Sequence, residues 1–524
     1  MRRSIVAAAV GVTALALTGC AGGGGGGGTG GGTLEEATIA IAADPGSLNP
    51  ITNATQAGQE ISAYLYETLM SFAHGKDAEG LLAESWTEST TEVSFMLKEG
   101  IVCTDGSELT ASDVKASFDY AADPETASPY SGVYFPAEGL TVEADDASRT
   151  VTFTSAQPQS FLLSNIGQMP VVCAAGIEDP ASLDTTPVGT GIYTLEDSSP
   201  GQTYTLALRD DYTWGPGDVT SDTEGLPKTV ELEVVDTEPT RANMLLSSEI
   251  NVAEVGGTDR DRLESGDLFT IDVPARPGLM FFNQSEGRPT NDLLVREGIA
   301  GGIDRDEVAS VSTGGRGELM TSLVSSFTAV CVGADATTSL IGFDADAAAA
   351  SLDEAGWTVG ADGVREKDGA KLELTFVYPS TEAQSVVAGI ELIQQELGEI
   401  GVEVTPAPSS SYTDVIFQGG DWDLIWAPIS TTLPSTWAGI LSGDFPPNGG
   451  NWTYNTNQEF FDLTAEAQQL AGEESCDAWT AAQASAIGNL EVMPFAESTS
   501  TLYGAGVEFD VTTNGLLIPT SLRG

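Results

Sequence analysis

The chain has 524 residues, of which 20 are Lys or Arg and 77 are Asp or Glu, and its formal net charge is −57. A surface this acidic repels phosphate backbones, which excludes general nucleic-acid binding. The single histidine, His74, cannot supply a histidine-rich metal site. Because 41% of the residues are hydrophobic, the chain is not a disordered acidic tail, and its length suits two to three domains or one large two-lobed body.

The amino terminus predicts export. Arg2 and Arg3 precede an apolar stretch over residues 5–17, which is shorter than the ~20 residues of a membrane-spanning helix. A positive start, an apolar stretch and small residues predict a signal peptide over residues 1–19. Its ending, Leu17-Thr18-Gly19-Cys20, resembles the lipobox of bacterial lipoproteins, which implies a lipid anchor on Cys20. The alternative is an ordinary signal peptide with an incidental cysteine.

The next residues, 20–33, are mostly glycine and predict a flexible tether between lipid and folded protein. Four cysteines follow, Cys103, Cys173, Cys331 and Cys476, and no Cys-x-x-Cys motif is present. An even number outside the cytoplasm predicts two disulfides with three possible pairings. Four free buried thiols are the alternative.

Alternating patterns and helical spacing predict strands and helices that follow each other along the chain. The predicted strands cover residues 34–43, 93–98, 140–143, 150–153, 191–195, 204–209, 229–235, 250–252, 279–283, 371–378, 402–405 and 422–426. The predicted helices cover residues 60–72, 110–120, 241–246, 292–300, 306–311, 344–355, 385–400, 459–470 and 478–490. This order predicts an α/β protein with mixed sheets. His74 follows a predicted helix in an exposed turn, where we expect a structural role.

Short motifs follow one another in a fixed order along the chain. They are Asp44-Pro45-Gly46-Ser47-Leu48-Asn49-Pro50, Tyr66-Glu67-Thr68-Leu69, Leu82-Ala83-Glu84-Ser85-Trp86, residues 95–100 with 104–114, residues 187–193, Asp211-Tyr212-Thr213-Trp214, Phe282-Asn283, Val295-Arg296 with Ile303-Asp304-Arg305, and Glu354-Ala355-Gly356-Trp357. In this order they resemble the family 5 extracytoplasmic solute-binding proteins of ABC importers, the oligopeptide, dipeptide and nickel group. Each match is weak alone, and their common order carries the resemblance.

The resemblance implies a two-lobed periplasmic-binding-protein-like α/β fold with an extra subdomain and a hinge between the lobes. Lobe one would comprise residues 34–62, 187–277 and 492–524, the extra α/β subdomain residues 63–186, and lobe two residues 278–491. This division places two cysteines in the subdomain and two in lobe two. It therefore favours the pairs Cys103–Cys173 and Cys331–Cys476.

The resemblance also implies where a ligand would bind. In relatives that take peptides, the peptide lies extended in the cleft and pairs with protein backbone. Two segments match strips that line that cleft: the first strip is residues 51–54, and the second strip is residues 427–434, after the predicted strand 422–426. Trp426 and Trp437, near the second strip, are candidate walls, with a role in the core as the alternative. The candidate ligand-binding residues are Ile51, Thr52, Asn53, Ala54, Trp426, Ser430, Thr431, Thr432 and Trp437.

One departure from the family pattern concerns charge. Peptide-binding relatives often place an Asp in the second strip, whereas here no acid occurs between Asp423 and Asp444. We therefore expect that another acid, the overall negative field or a different ligand takes that role. The single histidine also disfavours a nickel ligand.

The expected function is a solute receptor, most simply for a peptide, that works with ABC importer permease subunits and separate ATPase subunits. We expect a monomer on the extracytoplasmic face of the cell membrane, held by its lipid, with no cofactor, no metal and no nucleic-acid partner. A non-peptide solute, a sensor role, a secreted carboxylate-based glycoside hydrolase and a calcium-binding surface protein are the alternatives. The acidic loops lack the Gly and terminal Glu of a twelve-residue calcium loop, and no spacing singles out a catalytic acid pair.

Overall fold

The computed structural model describes residues 34–136 and 139–524, with backbone alone for residues 276 and 277. The predicted signal peptide, Cys20 and the glycine-rich tether lie outside the described residues. Within the described part, no helix is both long enough and apolar enough to cross a bilayer.

The described chain alternates strands and helices, as the sequence predicts. In chain order the strands are β1 Glu36–Ile41, β2 Glu67–Thr68, β3 Met70–Ser71, β4 Glu79–Gly80, β5 Ala83–Glu88, β6 Glu92–Leu97, β7 Leu140–Asp145, β8 Thr150–Ser155, β9 Pro170–Val171, β10 Tyr193–Ser199, β11 Thr203–Leu208, β12 Thr229–Val234, β13 Val252–Val255, β14 Phe269–Phe282, β15 Gly317–Leu319, β16 Thr358–Val359, β17 Arg365–Lys367, β18 Ala370–Lys371, β19 Glu373–Pro379, β20 Glu403–Ser409, β21 Leu424–Trp426 and β22 Val492–Gly504. The α-helices are α1 Gln56–Leu65, α2 Ala111–Ala122, α3 Leu162–Gly167, α4 Ala174–Glu178, α5 Glu238–Ser247, α6 Arg260–Leu263, α7 Leu293–Gly301, α8 Arg305–Ser312, α9 Ala345–Glu354, α10 Gln384–Glu399, α11 Tyr412–Phe417, α12 Thr436–Leu441, α13 Gln458–Ala467 and α14 Cys476–Gly488.

The largest sheet of the described residues runs through both halves of the molecule, in the order β10-β11-β12-β1-β13-β22-β14-β21-β19-β20. We call the half around β10 to β13 lobe one and the half around β19 to β21 lobe two. The sheet contains both parallel pairs, such as β1 with β12 and β19 with β20, and antiparallel pairs, such as β11 with β12 and β13 with β22, so it is mixed. The predicted two-lobed α/β fold is confirmed.

Two long antiparallel strands, β14 and β22, pass from one lobe into the other. Their register runs from Phe269 opposite Gly504 to Phe281 opposite Val492. β13 joins β22 at the lobe-one end, and β21 joins β14 at the lobe-two end. Two register shifts interrupt the pairing between residues 274 and 279, where the strands cross between lobes. Such bulges bend a strand pair locally.

A separate four-stranded antiparallel sheet, in the order β5-β6-β8-β7, forms the extra subdomain. Helix α2 covers it, with Phe118 packed edge-on against Phe153 at 4.5 Å between ring centroids. Thr110 caps α2 in a capping box with Asp113, which satisfies backbone N–H groups at the start of the helix. The predicted start of this helix is thus confirmed.

Lobe two carries the longest α-helix of the described residues. The structure has α10 at Gln384–Glu399, where a helix is predicted over residues 385–400, and it buries Ile390, Ile393 and Leu397. Gly401 follows with φ +85°, a left-handed conformation that suits glycine at the end of a helix.

The helix predicted over residues 60–72 is wrong in its second half. Helix α1 ends at Leu65, and Tyr66 is extended at φ −131° and ψ 156°. The reason is tertiary, because β2 pairs with β9 and the buried Glu67 accepts hydrogen bonds from Tyr212 Oη at 2.5 Å and Trp214 Nε1 at 2.7 Å. These bonds hold the chain extended where its apolar spacing favours a helix.

The strand predicted over residues 279–283 is only the end of the 14-residue strand β14. The two prolines of this segment, Pro274 and Pro277, lie beside the register shifts and disturb the alternation on which the prediction rests. Strand β22, buried along most of its length, shows no alternation and is not predicted at all.

Two disulfides link the segments named from the family resemblance. Cys103 is bonded to Cys173 across 70 residues of sequence within the subdomain region. Cys331 is bonded to Cys476 across 145 residues, and it ties a lobe-two loop to the first residue of α14.

Replacing Cys331 and Cys476 together by serine should lower the free energy of unfolding by about 2–5 kcal/mol, because the bond closes a long loop in the unfolded chain. Denaturant unfolding of the variant and the parent under non-reducing conditions measures the difference. Peptide mapping of the parent without reduction provides the control. It should recover the peptide that contains Cys103 linked to the one that contains Cys173, and the peptide that contains Cys331 linked to the one that contains Cys476. A link between Cys103 and either lobe-two cysteine would contradict the pairing.

Candidate functional site

A cleft with a volume of about 750 Å³ lies between the two lobes, along the crossing strands β14 and β22. Lobe one contributes the start of α1, the loop after β13 and residues 514–516. Lobe two contributes the end of α8, the segment before α10 and the residues after β21. The two strands themselves form the floor through residues 273–275 and 498–500. A solute here would contact both lobes at once.

Trp426 forms an apolar wall on the lobe-two side. The indole is 2% exposed and packs against Phe495 at 5.3 Å between ring centroids. It also lies against Gly278, where a Cβ atom would come within 2.7 Å of the indole ring. Glycine at position 278 therefore leaves the space that the indole occupies, a requirement that the sequence pattern alone does not reveal.

Carboxylates line the cleft although the second strip lacks an acid. Glu238 and Glu254 face it from lobe one, and Glu382 from lobe two. Glu60, on α1, lies beside Glu254 at the edge of the cleft. These acids are not among the residues predicted from the sequence, because Glu60 and Glu254 are far apart in the chain and no local pattern distinguishes them among 77 acidic residues.

Gln56 bridges the neighbouring carboxylates of Glu60 and Glu254. Its amide nitrogen donates to Glu60 Oε1 at 3.1 Å and to Glu254 Oε2 at 3.0 Å. The other oxygen of Glu254 accepts a hydrogen bond from Ser500 Oγ. The bridge holds two acids together that would otherwise repel each other.

Burial raises the pKa of Glu60 to about 7, and the negative charge of Glu254 adds to that rise. The Gln56 hydrogen bond and the positive charge of Arg241 act in the opposite direction. Near neutral pH, Glu60 is therefore only partly ionised, and a positively charged neighbour would favour its ionised form.

The arginines near these acids are already paired with protein groups. Arg241 donates from Nε to the Glu254 carbonyl at 2.8 Å and from Nη1 to the Val235 carbonyl at 2.8 Å. Arg316, which lines the cleft, forms ion pairs with Asp261 and Glu264. Among the described side chains that line the cleft, three carboxylates, those of Glu238, Glu254 and Glu382, stand against the one guanidinium of Arg316.

The first predicted strip contributes less to the cleft than the family pattern implies. Ala54 lines the cleft, whereas Ile51 is buried in the core of lobe one and Thr52 is exposed outside the cleft lining. Asn53 turns inward, and its amide nitrogen donates to the carbonyls of Pro45 and Ser47 at 2.8 and 2.6 Å. Asn53 thus holds the turn before α1 and lies outside the cleft lining.

The second strip is divided in the same way. Trp426 and Ser430 line the cleft. Thr431 is 7% exposed, and its carbonyl accepts from the Ser325 N–H, while the Thr432 carbonyl accepts from Thr328 Oγ1.

Trp437 lies in the core of lobe two and not on a cleft wall. It is fully buried, its ring stacks near Phe281, and its Nε1 donates to the Leu323 carbonyl at 3.0 Å. Trp437 therefore has the core position that was the alternative to a role as a cleft wall.

His74 lies on the surface and stacks on Phe327 at 3.6 Å between ring centroids. Among the described residues, no group of three or more His, Cys, Asp or Glu side chains is arranged to hold a metal ion.

Comparison with known proteins identifies relatives. The model of the family described as bacterial extracellular solute-binding proteins, family 5 middle, matches residues 77–451. Protein XP55 of Streptomyces lividans is 27% identical over 367 residues, which are 66% of this chain and 62% of that protein. The oligopeptide-binding protein AppA of Bacillus subtilis is 22% identical over 457 residues, 83% of this chain and 77% of AppA. The chain thus spans less than two thirds of XP55.

Solved structures extend the likeness to the whole fold. A substrate binding protein from Microbacterium hydrocarbonoxydans, complexed with 4-hydroxybenzoate hydrazide, is 26% identical with a TM-score of 0.70, over 94% of this chain and 100% of that one. AppA of Bacillus subtilis in complex with a nonapeptide is 20% identical with a TM-score of 0.69, over 94% of this chain and 99% of that one. At 20% identity, the likeness to the AppA structure concerns the fold alone.

Glu60→Gln should change how stability depends on pH. Between pH 4.5 and about 7 the folded protein keeps the proton of Glu60 that the unfolded chain releases, so the stability contributed by this group is lost as pH rises. Glutamine has no proton to lose, and the variant should become more stable than the parent as pH rises, by up to roughly 3 kcal/mol at pH 8.

Urea unfolding at pH 4, 6 and 8 measures this difference. The exposed Glu36→Gln on β1 is the matched control and should track the parent at every pH. A constant offset between Glu60→Gln and the parent from pH 4 to pH 8 would contradict the assignment.

Proposed function

The chain belongs to the bacterial extracellular solute-binding proteins of family 5, and on that premise we propose that it captures a solute outside the cytoplasm and delivers it to an ABC importer. The cleft shared by both lobes is the observation that carries this proposal. A solute that contacts both walls stabilises a closed arrangement over an open one, because only the closed arrangement offers both sets of contacts. The crossing strands β14 and β22, with their register shifts, supply the connection about which the lobes would move.

The solute that we propose is a peptide. The cleft volume of about 750 Å³ lies in the range of ordinary ligand sites. Its walls combine an indole, small side chains and hydroxyls, a lining that tolerates different peptide side chains. The name of the relative AppA supports this choice, since it is an oligopeptide-binding protein.

A non-peptide solute is the second candidate. It is favoured by the Microbacterium substrate binding protein, whose structure contains a small aromatic hydrazide. Family membership favours either receptor role over the glycoside hydrolase considered from the sequence.

The cellular arrangement follows from the amino terminus and the family. We propose that a lipid on Cys20 anchors the protein to the outer face of the cell membrane and that residues 20–33 act as the tether. Several acyl chains anchor firmly, since each buried methylene adds about 0.8 kcal/mol. The monomeric receptor would present its closed form to permease subunits, and separate subunits would hydrolyse ATP.

For the folded part we retain the division implied by the family. Lobe one comprises residues 34–62, 187–277 and 492–524, the subdomain residues 63–186, and lobe two residues 278–491. Limited proteolysis in the open and closed forms would test these boundaries.

Ser430→Trp should weaken solute binding, because a bulky ring on the exposed Ser430 side chain would occupy the cleft. We expect at least a tenfold rise in the dissociation constant, which corresponds to about 1.4 kcal/mol. Mass spectrometry first identifies the solute that co-purifies with the parent, and calorimetry with peptides of different lengths then compares the parent and the variant.

Ala350→Trp, on the exposed side of α9 in lobe two, is the matched control and should bind like the parent. Peptides that neither co-purify nor bind, while another class of solute does, would exclude the peptide assignment. Equal binding by Ser430→Trp and the parent would exclude the cleft as the binding site.

A further inference from the structure

A small side pocket with a volume of about 40 Å³ adjoins the cleft and shares Glu254, Gly515 and Leu516 with its lining. Its polar members are Glu60, Tyr64 and Glu254, and aliphatic side chains such as Val252 and Leu502 complete the wall. A pocket of this size has room for one small polar group and a methylene or two, but not for a whole amino acid.

Two polar atoms of this side pocket lack a partner. Tyr64 is 2% exposed, and its hydroxyl oxygen makes no hydrogen bond. Glu60 Oε2 is likewise buried and without a hydrogen bond, whereas Oε1 accepts from Gln56. Buried polar atoms without protein partners cost free energy, so their joint presence around one cavity favours a ligand group that can form hydrogen bonds with them.

The chemistry of the walls selects the occupant. Two carboxylates and a phenol oxygen offer acceptors, and an ammonium group has three donors to satisfy them. Among the described side chains, the cation that acts on Glu60 is Arg241, which is held by the carbonyls of Glu254 and Val235 and lies 4.0 Å from Glu238. Within this described set, the three carboxylates of Glu60, Glu238 and Glu254 outnumber the guanidinium of Arg241. An anionic or purely apolar group would meet repulsion or leave the acceptors unpaired.

We propose that the side pocket formed by Glu60, Tyr64 and Glu254 holds a primary ammonium group of the solute, so that the cleft selects positively charged solutes. The inference rests on the proposed receptor function and adds a substrate class to it. It also supplies, from lobe one, the acid that the second strip lacks. A peptide amino terminus and a lysine side chain both supply such an ammonium, since the donors are the same.

The state of Glu60 is compatible with this role. Burial and the neighbouring Glu254 raise the pKa of Glu60 to about 7, so Glu60 can carry a proton that an arriving ammonium replaces. Solute binding at neutral pH should then release protons, and calorimetry in buffers of different ionisation enthalpy detects that release.

The test uses the purified protein freed of bound solute and four probes of known chemistry. The first is Ala-norleucine-Ala with a free amino terminus, and the second is N-acetyl-Ala-Lys-Ala with a side-chain ammonium. The third, N-acetyl-Ala-norleucine-Ala, has neither, and the fourth is 1,5-diaminopentane. Calorimetry gives the dissociation constant of each probe for the parent and the variants.

We expect the parent to bind at least one of the two ammonium-bearing peptides at least about 30-fold more tightly than the third probe, as for other buried charge pairs. The double variant Glu60→Gln/Glu254→Gln should lose that preference. The exposed Glu249→Gln of lobe one is its charge-matched control and should keep it.

A pair of tyrosine variants separates binding from folding. Tyr64→Phe removes a hydroxyl that makes no hydrogen bond, so stability should be retained while the affinity for ammonium probes falls about five- to tenfold. Tyr193→Phe removes a hydroxyl that donates to the Pro227 carbonyl at 2.9 Å, so it should lower stability and leave the ammonium preference intact. The rings of Tyr64 and Tyr193 lie 5.8 Å apart between centroids, so the two variants each remove a hydroxyl from the same region of lobe one.

Each outcome decides one of the two proposals. Equal binding of all three peptides by the parent overturns the ammonium pocket and leaves the peptide receptor intact. A preference that survives both the double variant and Tyr64→Phe means that the pocket holds water only, which also overturns it. Binding of 1,5-diaminopentane alone, sensitive to the double variant, supports the ammonium pocket and excludes peptides. Binding of no probe overturns the ammonium pocket, and the co-purifying solute then decides the receptor function separately.

Discussion

The antiparallel pairing of β14 with β22 is the interaction on which the two-lobed structure depends. These strands belong to both lobes, and their ladder joins the halves into one mixed sheet. The same residues form the floor of the cleft, so the connection between the lobes and the candidate binding surface are one element. The register shifts between residues 274 and 279 fall where the ladder crosses. A pair that is interrupted there can bend without the loss of the hydrogen bonds at its two ends.

Charge acts at two levels in this molecule. Most of the formal charge of −57 belongs to an acidic surface that keeps the protein soluble and repels polyanions. A few acids are different, because tertiary contacts bring Glu60 and Glu254 together under one glutamine and leave one carboxylate oxygen and one phenol buried without partners. Long-range attraction weakens with salt, whereas a desolvated contact is screened much less. For the binding of a charged solute, the distribution of acids between surface and cleft is therefore more important than their total number.

The family and the architecture could be predicted from the sequence because both depend on local patterns in a fixed order. Turn motifs, caps and amphipathic spacing act over a few residues, and Thr110, Gly401 and the apolar face of α10 lie where such patterns place them. The errors have tertiary causes. The helix over residues 60–72 stops early because Glu67 bonds to Tyr212 and Trp214, about 145 residues further along the chain. Trp437 is an aromatic residue of the kind that often lines binding sites, but its indole N–H donates to the Leu323 carbonyl inside lobe two.

The sequence by itself determined the class of protein, the two-lobed α/β fold and the absence of an acid between Asp423 and Asp444. The tertiary structure alone decided which residues form the cleft. It selected Ala54, Trp426 and Ser430 from the two predicted strips and added Glu238, Glu254 and Glu382 from unrelated segments. The physical reason is that helix and strand patterns arise between near neighbours, whereas a binding surface is made where strand pairing brings distant segments together. Gln56 and Glu254, which are 198 residues apart, share a hydrogen bond that no local pattern encodes.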